Sequence, residues 1–228
     1  MRTSTFAERA FAFYSSLKAP RVPRGIHVMN PYADRAALGY VRAFLDRFFD
    51  DNHDRLLVLG INPGRFGAGI TGVTFTDPVA LADFCGIEND LQRRREPSSI
   101  FVYELIDRLG GPHEFYRRFF LTAVSPLGFT HDGKNLNYYD DAKLATAVTP
   151  FIVETMEQQI ALGARRDHAI VFGRGQNHRF LEKLNAEHGW FGELHPLDHP
   201  RSIVQYKRKR MGEYATRYAE LFRRLESS

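Results

Sequence analysis

A short apolar run, Leu56 to Ile61, breaks at once into Asn62-Pro63-Gly64. Six residues without polar alternation read as a strand buried on both faces, the habit of strands in parallel sheets. Phe119 to Val124 and Ala169 to Phe172 are runs of the same kind, and a fourth strand fits at about Phe191 to His195. Helical patterns lie between them. Thr5 with Glu8 forms a capping box ahead of Phe6, Ala10, Phe13 and Leu17, and apolar residues recur at helical spacing from Asp34 to Phe49. Asp77-Pro78 opens a short helix closing at Gly86, Pro97-Ser98 opens one ending at Gly110-Gly111, and Thr149-Pro150 opens one running to about Leu162. Two more cover Asn177 to Glu187 and Met211 to Leu225, while Pro20, Pro23 and Pro31 mark an irregular connector. Strands alternating with helices predict an α/β fold, a parallel sheet covered on both faces.

The 228 residues, 43% of them apolar, suffice for a single domain over 1–228. One cysteine, Cys85, excludes an internal disulfide and cysteine-paired zinc or iron–sulfur sites, and fits a reducing, cytoplasmic setting. The N-terminal stretch lacks an apolar leader core, and no later run is long enough to span a bilayer. Net charge is only +4, but Arg93-Arg94-Arg95 and Lys207-Arg208-Lys209-Arg210 concentrate it as a polyanion-binding surface does. Solvated helix faces carry such runs too.

In open parallel sheets, ligand sites form beyond the carboxyl ends of the strands, where the following loops converge. That rule gathers INPGRFGAGITG, SPLGFTHDGKN and HPRSIVQYKRK, with GRGQNH as a less specific neighbour. Asn62-Pro63-Gly64 alone is simply a turn-forming set, and Phe66 and Phe75 suit a core as well as a stacking platform. Gly64, Gly67 and Gly69 give GxxGxG rather than the dinucleotide spacing, and no GK[ST] follows for a phosphate loop. His195 and His199 are four apart, but Pro196 and Pro200 break the helix that would turn both toward one ion. No metal and no cofactor is expected.

GINPGRFGAGITGVTF resembles the first motif of the single-strand-selective monofunctional uracil-DNA glycosylase (SMUG) family of the uracil-DNA glycosylase superfamily, and HPRSIVQYKRK resembles the later His-Pro motif of its bacterial second branch. Ser125-Pro126-Leu127, Gly133-Lys134-Asn135-Leu136 and Phe172-Gly173-Arg174 match in order and approximate spacing, so the likeness spans Leu56 to about Arg210. It implies a three-layer α/β/α fold with a central four-stranded parallel sheet, in a monomer that flips uracil out of single- or double-stranded DNA and hydrolyses its N-glycosidic bond.

By that resemblance Asn62 holds the attacking water and His199 donates a hydrogen bond to uracil O2. Phe75 stacks on the flipped base, and Ile61, Gly64, Phe66, Ser125 and Asn135 complete the base pocket. Pro200 to Tyr206 becomes the loop pushed into the duplex, with Arg201, Ile203 or Tyr206 as its wedge, and Lys207, Arg208, Lys209 and Arg210 neutralise phosphates. Two departures matter. The better-known branch reads uracil with an asparagine where this chain has Ala123, and no aspartate stands in the first loop as a general base. Discrimination then falls to Ser125, main-chain groups or Asn135. Another base (hypoxanthine, xanthine, 5-hydroxymethyluracil) fits the same fold, as does a non-catalytic DNA-binding module; a free-nucleotide hydrolase leaves HPRSIVQYKRK without a purpose.

Overall fold

The computed structural model describes residues 4–227. In chain order the elements are α1 (Phe6–Ser16), β1 (Ile26–Met29), α2 (Arg35–Phe48), β2 (Arg55–Gly60), α3 (Ala68–Thr71), α4 (Pro78–Asp83), α5 (Pro97–Arg108), α6 (Gly111–Arg118) and β3 (Phe119–Ala123). They continue with β4 (Gly128–His131), β5 (Lys134–Leu136), α7 (Ala142–Ala161), β6 (Ala164–Phe172), α8 (Gln176–His188), β7 (Glu193–Leu197), α9 (Pro200–Tyr206) and α10 (Met211–Glu226). β3, β2, β6 and β7 form the parallel sheet in that order. The expected three-layer α/β/α architecture is therefore present. Among the described residues no helix is long and apolar enough to cross a membrane.

Neighbouring residues of β3 show how both faces are covered. Phe119 packs its ring 4.9 Å from Phe222 of α10, while Phe120 meets Phe6 of α1 at 5.0 Å and Phe49 at 5.5 Å. Side chains alternate across a strand, so the two rings seal opposite layers, each stabilising the fold by about 2–3 kcal/mol. Every residue of β2 is buried, including Arg55. Its guanidinium lies between the Phe6 and Phe49 rings at 4.6 and 4.7 Å, donates to the Tyr116 carbonyl at 2.7 Å, and pairs with Asp51 at 2.7 Å. Those partners make a charge tolerable there.

The helices start where their caps are. The Thr5–Glu8 box closes reciprocally at 2.9 and 3.3 Å, and Asp77 accepts the Ala80 N–H at 2.8 Å. α7 departs from expectation. It starts at Ala142 behind Asp141, which accepts the Leu144 N–H at 2.8 Å, and Pro150 lies inside the helix rather than at its first turn. A second sheet was also not expected: β1, β4 and β5 pair antiparallel, using part of the supposed connector and most of SPLGFTHDGKN. The β4–β5 turn is Asp132-Gly133 with φ of 48° and 67°, the left-handed pair that a two-residue hairpin requires.

Because β2, β3 and β7 run parallel, their carboxyl ends lie at one edge. Asn62, Ala123 and His199, far apart in sequence, meet there.

Candidate active site

Gly60 and Ala123, register partners at the ends of β2 and β3, help line a cavity of about 180 Å³. One wall is Phe75, held at φ 56°, a conformation rare for a residue with a side chain. Its ring meets Phe172 edge-on at 5.4 Å and His199 at 5.9 Å. The contact with β2 leaves no room for a side chain: a Cβ on Gly60 would come within 2.7 Å of the Phe75 Cζ. The glycine ending the strand thus sets where the aromatic wall stands.

Asn62 lines the same cavity with its amide fixed. Its Oδ1 accepts the Tyr138 N–H at 3.1 Å, and its Nδ2 donates to the Leu136 carbonyl at 3.3 Å. An amide oxygen accepts two hydrogen bonds, so one lone pair remains for a water. His199 caps α9, with Nδ1 accepting the Arg201 N–H at 3.2 Å. That bond puts the ring proton on Nε2, making it the donor. Burial, then the neighbouring Arg201, pushes the His199 pKa down to about 4, so the imidazole is neutral at pH 7.

Glu96 is the functional candidate the sequence analysis missed. It is the N-cap residue of α5, its own N–H donating to Asp77 at 2.7 Å, and its side chain reaches back onto the first loop. A Cβ on Gly67 would lie 2.0 Å from its Oε2, and one on Gly64 2.9 Å from its Oε1. The loop is bare because a carboxylate lies on it. Burial raises the Glu96 pKa, Arg201 opposes that rise, and Asp77 adds to it. The one available signal was Glu-Pro at a helix start, which marks a boundary and says nothing of where the carboxylate points.

Beside this cavity lies a basic groove of about 440 Å³ lined by Arg65, Arg94, Arg95 and Lys134, with Phe66 among them. The Phe66 ring carries the Arg94 and Arg65 guanidinium groups at 3.6 and 4.5 Å. It therefore belongs to the groove and does not line the base-sized cavity, contrary to expectation. Asn135, Glu96 and Arg201 line both spaces. Asn135 also accepts the Arg65 N–H at 3.1 Å, and Arg65 bonds the Gly133 carbonyl.

Ile61, Asn62, Gly64, Phe75, Asn135, His199 and Arg201 are thus brought to one cavity. Ser125 is not: it is fully buried, its hydroxyl donating to the Leu127 carbonyl at 2.8 Å. Ile203 is excluded as a wedge because Pro200 to Tyr206 is helical, not a loop, and turns Ile203 into the core at 0% exposure. Tyr206 is 82% exposed at the end of α9. Of the basic run, Lys207 pairs with Asp198 and Arg210 with Glu213, each at 2.8 Å, while Arg208 and Lys209 are exposed. The GRGQNH loop does not line the cavity. Among the described residues, donor atoms converge closely enough for a cation at His168, Glu193 and His195, all within 4.8 Å on the β6–β7 edge. His199 is not in that group.

The family model described as Uracil DNA glycosylase superfamily matches residues 47–223. The crystal structure of wild-type Pedobacter heparinus SMUG2 superposes with a TM-score of 0.96 at 39% identity, covering 99% of this chain and 100% of that one. Comparison with curated protein sequences gave no match.

Proposed function

Because the chain belongs to the uracil-DNA glycosylase superfamily, in the bacterial second branch of its SMUG family, we propose that it excises uracil from single- and double-stranded DNA as a monofunctional, monomeric enzyme. The observation that carries this reading is the convergence of Asn62, a neutral His199 and Phe75 on one cavity at the sheet edge.

The flipped base stacks on Phe75, over the floor made by Gly60 and Ala123. Asn62 offers its free lone pair to a water on the sugar side. As the bond from C1′ to N1 lengthens, charge grows on the departing base, and the Nε2–H of His199 meets it at O2. A fixed neutral donor suits this task because a donor held ready needs no reorganisation as the charge develops. Removing one donor of this kind costs about 3 kcal/mol of transition-state stabilisation. Flanking phosphates follow the Arg65, Arg94, Arg95 and Lys134 groove, and Tyr206 is the exposed apolar group that fills the vacated stack.

Ala123 on the cavity floor favours a second reading of the substrate. A methyl group cannot hydrogen-bond a base edge, so the cavity also admits hypoxanthine, xanthine or 5-hydroxymethyluracil. Oligonucleotides carrying each lesion, and uracil in single-stranded, U:G and U:A contexts, separate the readings after alkaline cleavage of the abasic product. Uracil is expected to be the fastest substrate. Abasic product from another base alone transfers the activity to that base, and none from any leaves a DNA-binding module.

A further inference from the structure

We infer that Glu96 is a catalytic carboxylate which faces the deoxyribose and takes the proton of the attacking water. The inference rests on the DNA glycosylase reading above and locates a group that the first loop lacks.

Three observations carry it. Glu96 lines both the base cavity and the basic groove, which places it at the rim they share. What joins a base in the first space to a phosphate in the second is the sugar. Glu96 is also the one carboxylate lining either space among the described residues, where the charged side chains it shares them with, Arg65, Arg94, Arg95, Lys134 and Arg201, are all cations. A negative charge beside a phosphate track opposes DNA binding, so it is useful where positive charge develops, at the sugar in the transition state. Finally, Gly64 and Gly67 are both shaped around its two oxygens, so the loop carrying Asn62 and the carboxylate are built as one unit. Burial keeps the carboxyl more basic than a free glutamate, which suits a proton acceptor.

In the step, the water oxygen bonds to C1′ and the C1′–N1 bond breaks with its electron pair leaving on the base. The base anion is held by His199, and the water's proton passes to Glu96. That proton then leaves to solvent as the base is protonated, which restores the carboxylate.

The test compares Glu96→Gln with wild type on a single-stranded uracil oligonucleotide. It measures the single-turnover rate, affinity for a non-hydrolysable analogue of the same strand, and melting temperature. Glu96→Gln is expected to lower the rate about 10²-fold or more, as loss of a general base does, while DNA affinity stays level or rises. Glu96→Asp, which keeps the charge on a shorter arm, is expected to recover part of the rate. An unchanged rate in folded Glu96→Gln overturns the inference. So does a rate loss that Asp does not relieve and that tracks weaker DNA binding, for that is the signature of a merely structural role. If Glu96→Gln fails to fold, Glu96→Asp against Glu96→Asn makes the same comparison. Wild-type protein inactive on every lesion refutes the glycosylase reading itself, an outcome separate from these.

Discussion

Gly60→Ala tests whether the strand end sets the aromatic wall. The new Cβ would stand 2.7 Å from the Phe75 Cζ and 2.9 Å from its Cε2, where ordinary contact begins at 3.4 Å, so the ring must retreat by about 0.7 Å. It has little freedom to do so, being 8% exposed and wedged against Phe172 and His199. Overpacking of this size costs about 2 kcal/mol, which lowers Tm by about 4–8 °C in a chain of this length. The catalytic effect is larger in proportion, because misplacing a substrate-holding group by about 1 Å slows a reaction about 10²-fold. Single-turnover excision and thermal melting measure the two effects separately. Phe75→Leu in the Gly60→Ala background removes the clash, so the double variant is expected to melt above the sum of the two single losses. A Gly60→Ala protein with wild-type rate and wild-type Tm, or strictly additive melting shifts, refutes the argument.

Three further outcomes are expected. The excision rate is expected to be level near pH 8 and to fall in acid, first as Glu96, its pKa raised by burial, takes up a proton and then as His199 does near its lowered pKa of about 4, which breaks the Nδ1 bond; in Glu96→Gln only the His199 break is expected to remain, and a break near 6.5 in that variant contradicts this. Stability follows the His199 window. The unfolded state gains a proton at the ordinary histidine pKa while the folded state resists, so this residue's contribution declines progressively as pH drops from about 6.5 to 4, read by denaturant titration. Asn62→Ala is expected to slow single-turnover excision by about 10²-fold with a Tm loss of only a few degrees, the latter from the orphaned Tyr138 N–H; a rate loss under tenfold removes Asn62 from the mechanism. Asp51→Ala leaves the buried Arg55 guanidinium without its carboxylate and is expected to cost about 3 kcal/mol, or about 6–12 °C in Tm, with activity at low temperature unchanged.

How far the chain could be read in advance depended on whether the signal was local. The Thr5–Glu8 box, the Asp77-Pro78 start and the predominantly apolar runs at Leu56 and Phe119 act within a few residues, so they appear in sequence as they appear in space. The Asp132-Gly133 turn is equally local but went unread, because the strands it joins are only four and three residues long. Pro150 misled the helix start because proline favours a first turn, whereas Asp141 supplies the real cap.

The sequence by itself determined the alternation of buried strands and helices, and hence the edge at which Asn62 and His199 had to meet. It also determined a loop made of glycines, without saying what the glycines make room for. Only the tertiary structure decided that Glu96 fills that room, that Ser125 points away, that Ile203 is in the core and that Phe66 serves the basic groove. The reason is physical. Backbone propensity and hydrophobic period act over a turn or a strand, but which carboxylate faces a loop across roughly thirty residues of chain is fixed by the packing of whole elements.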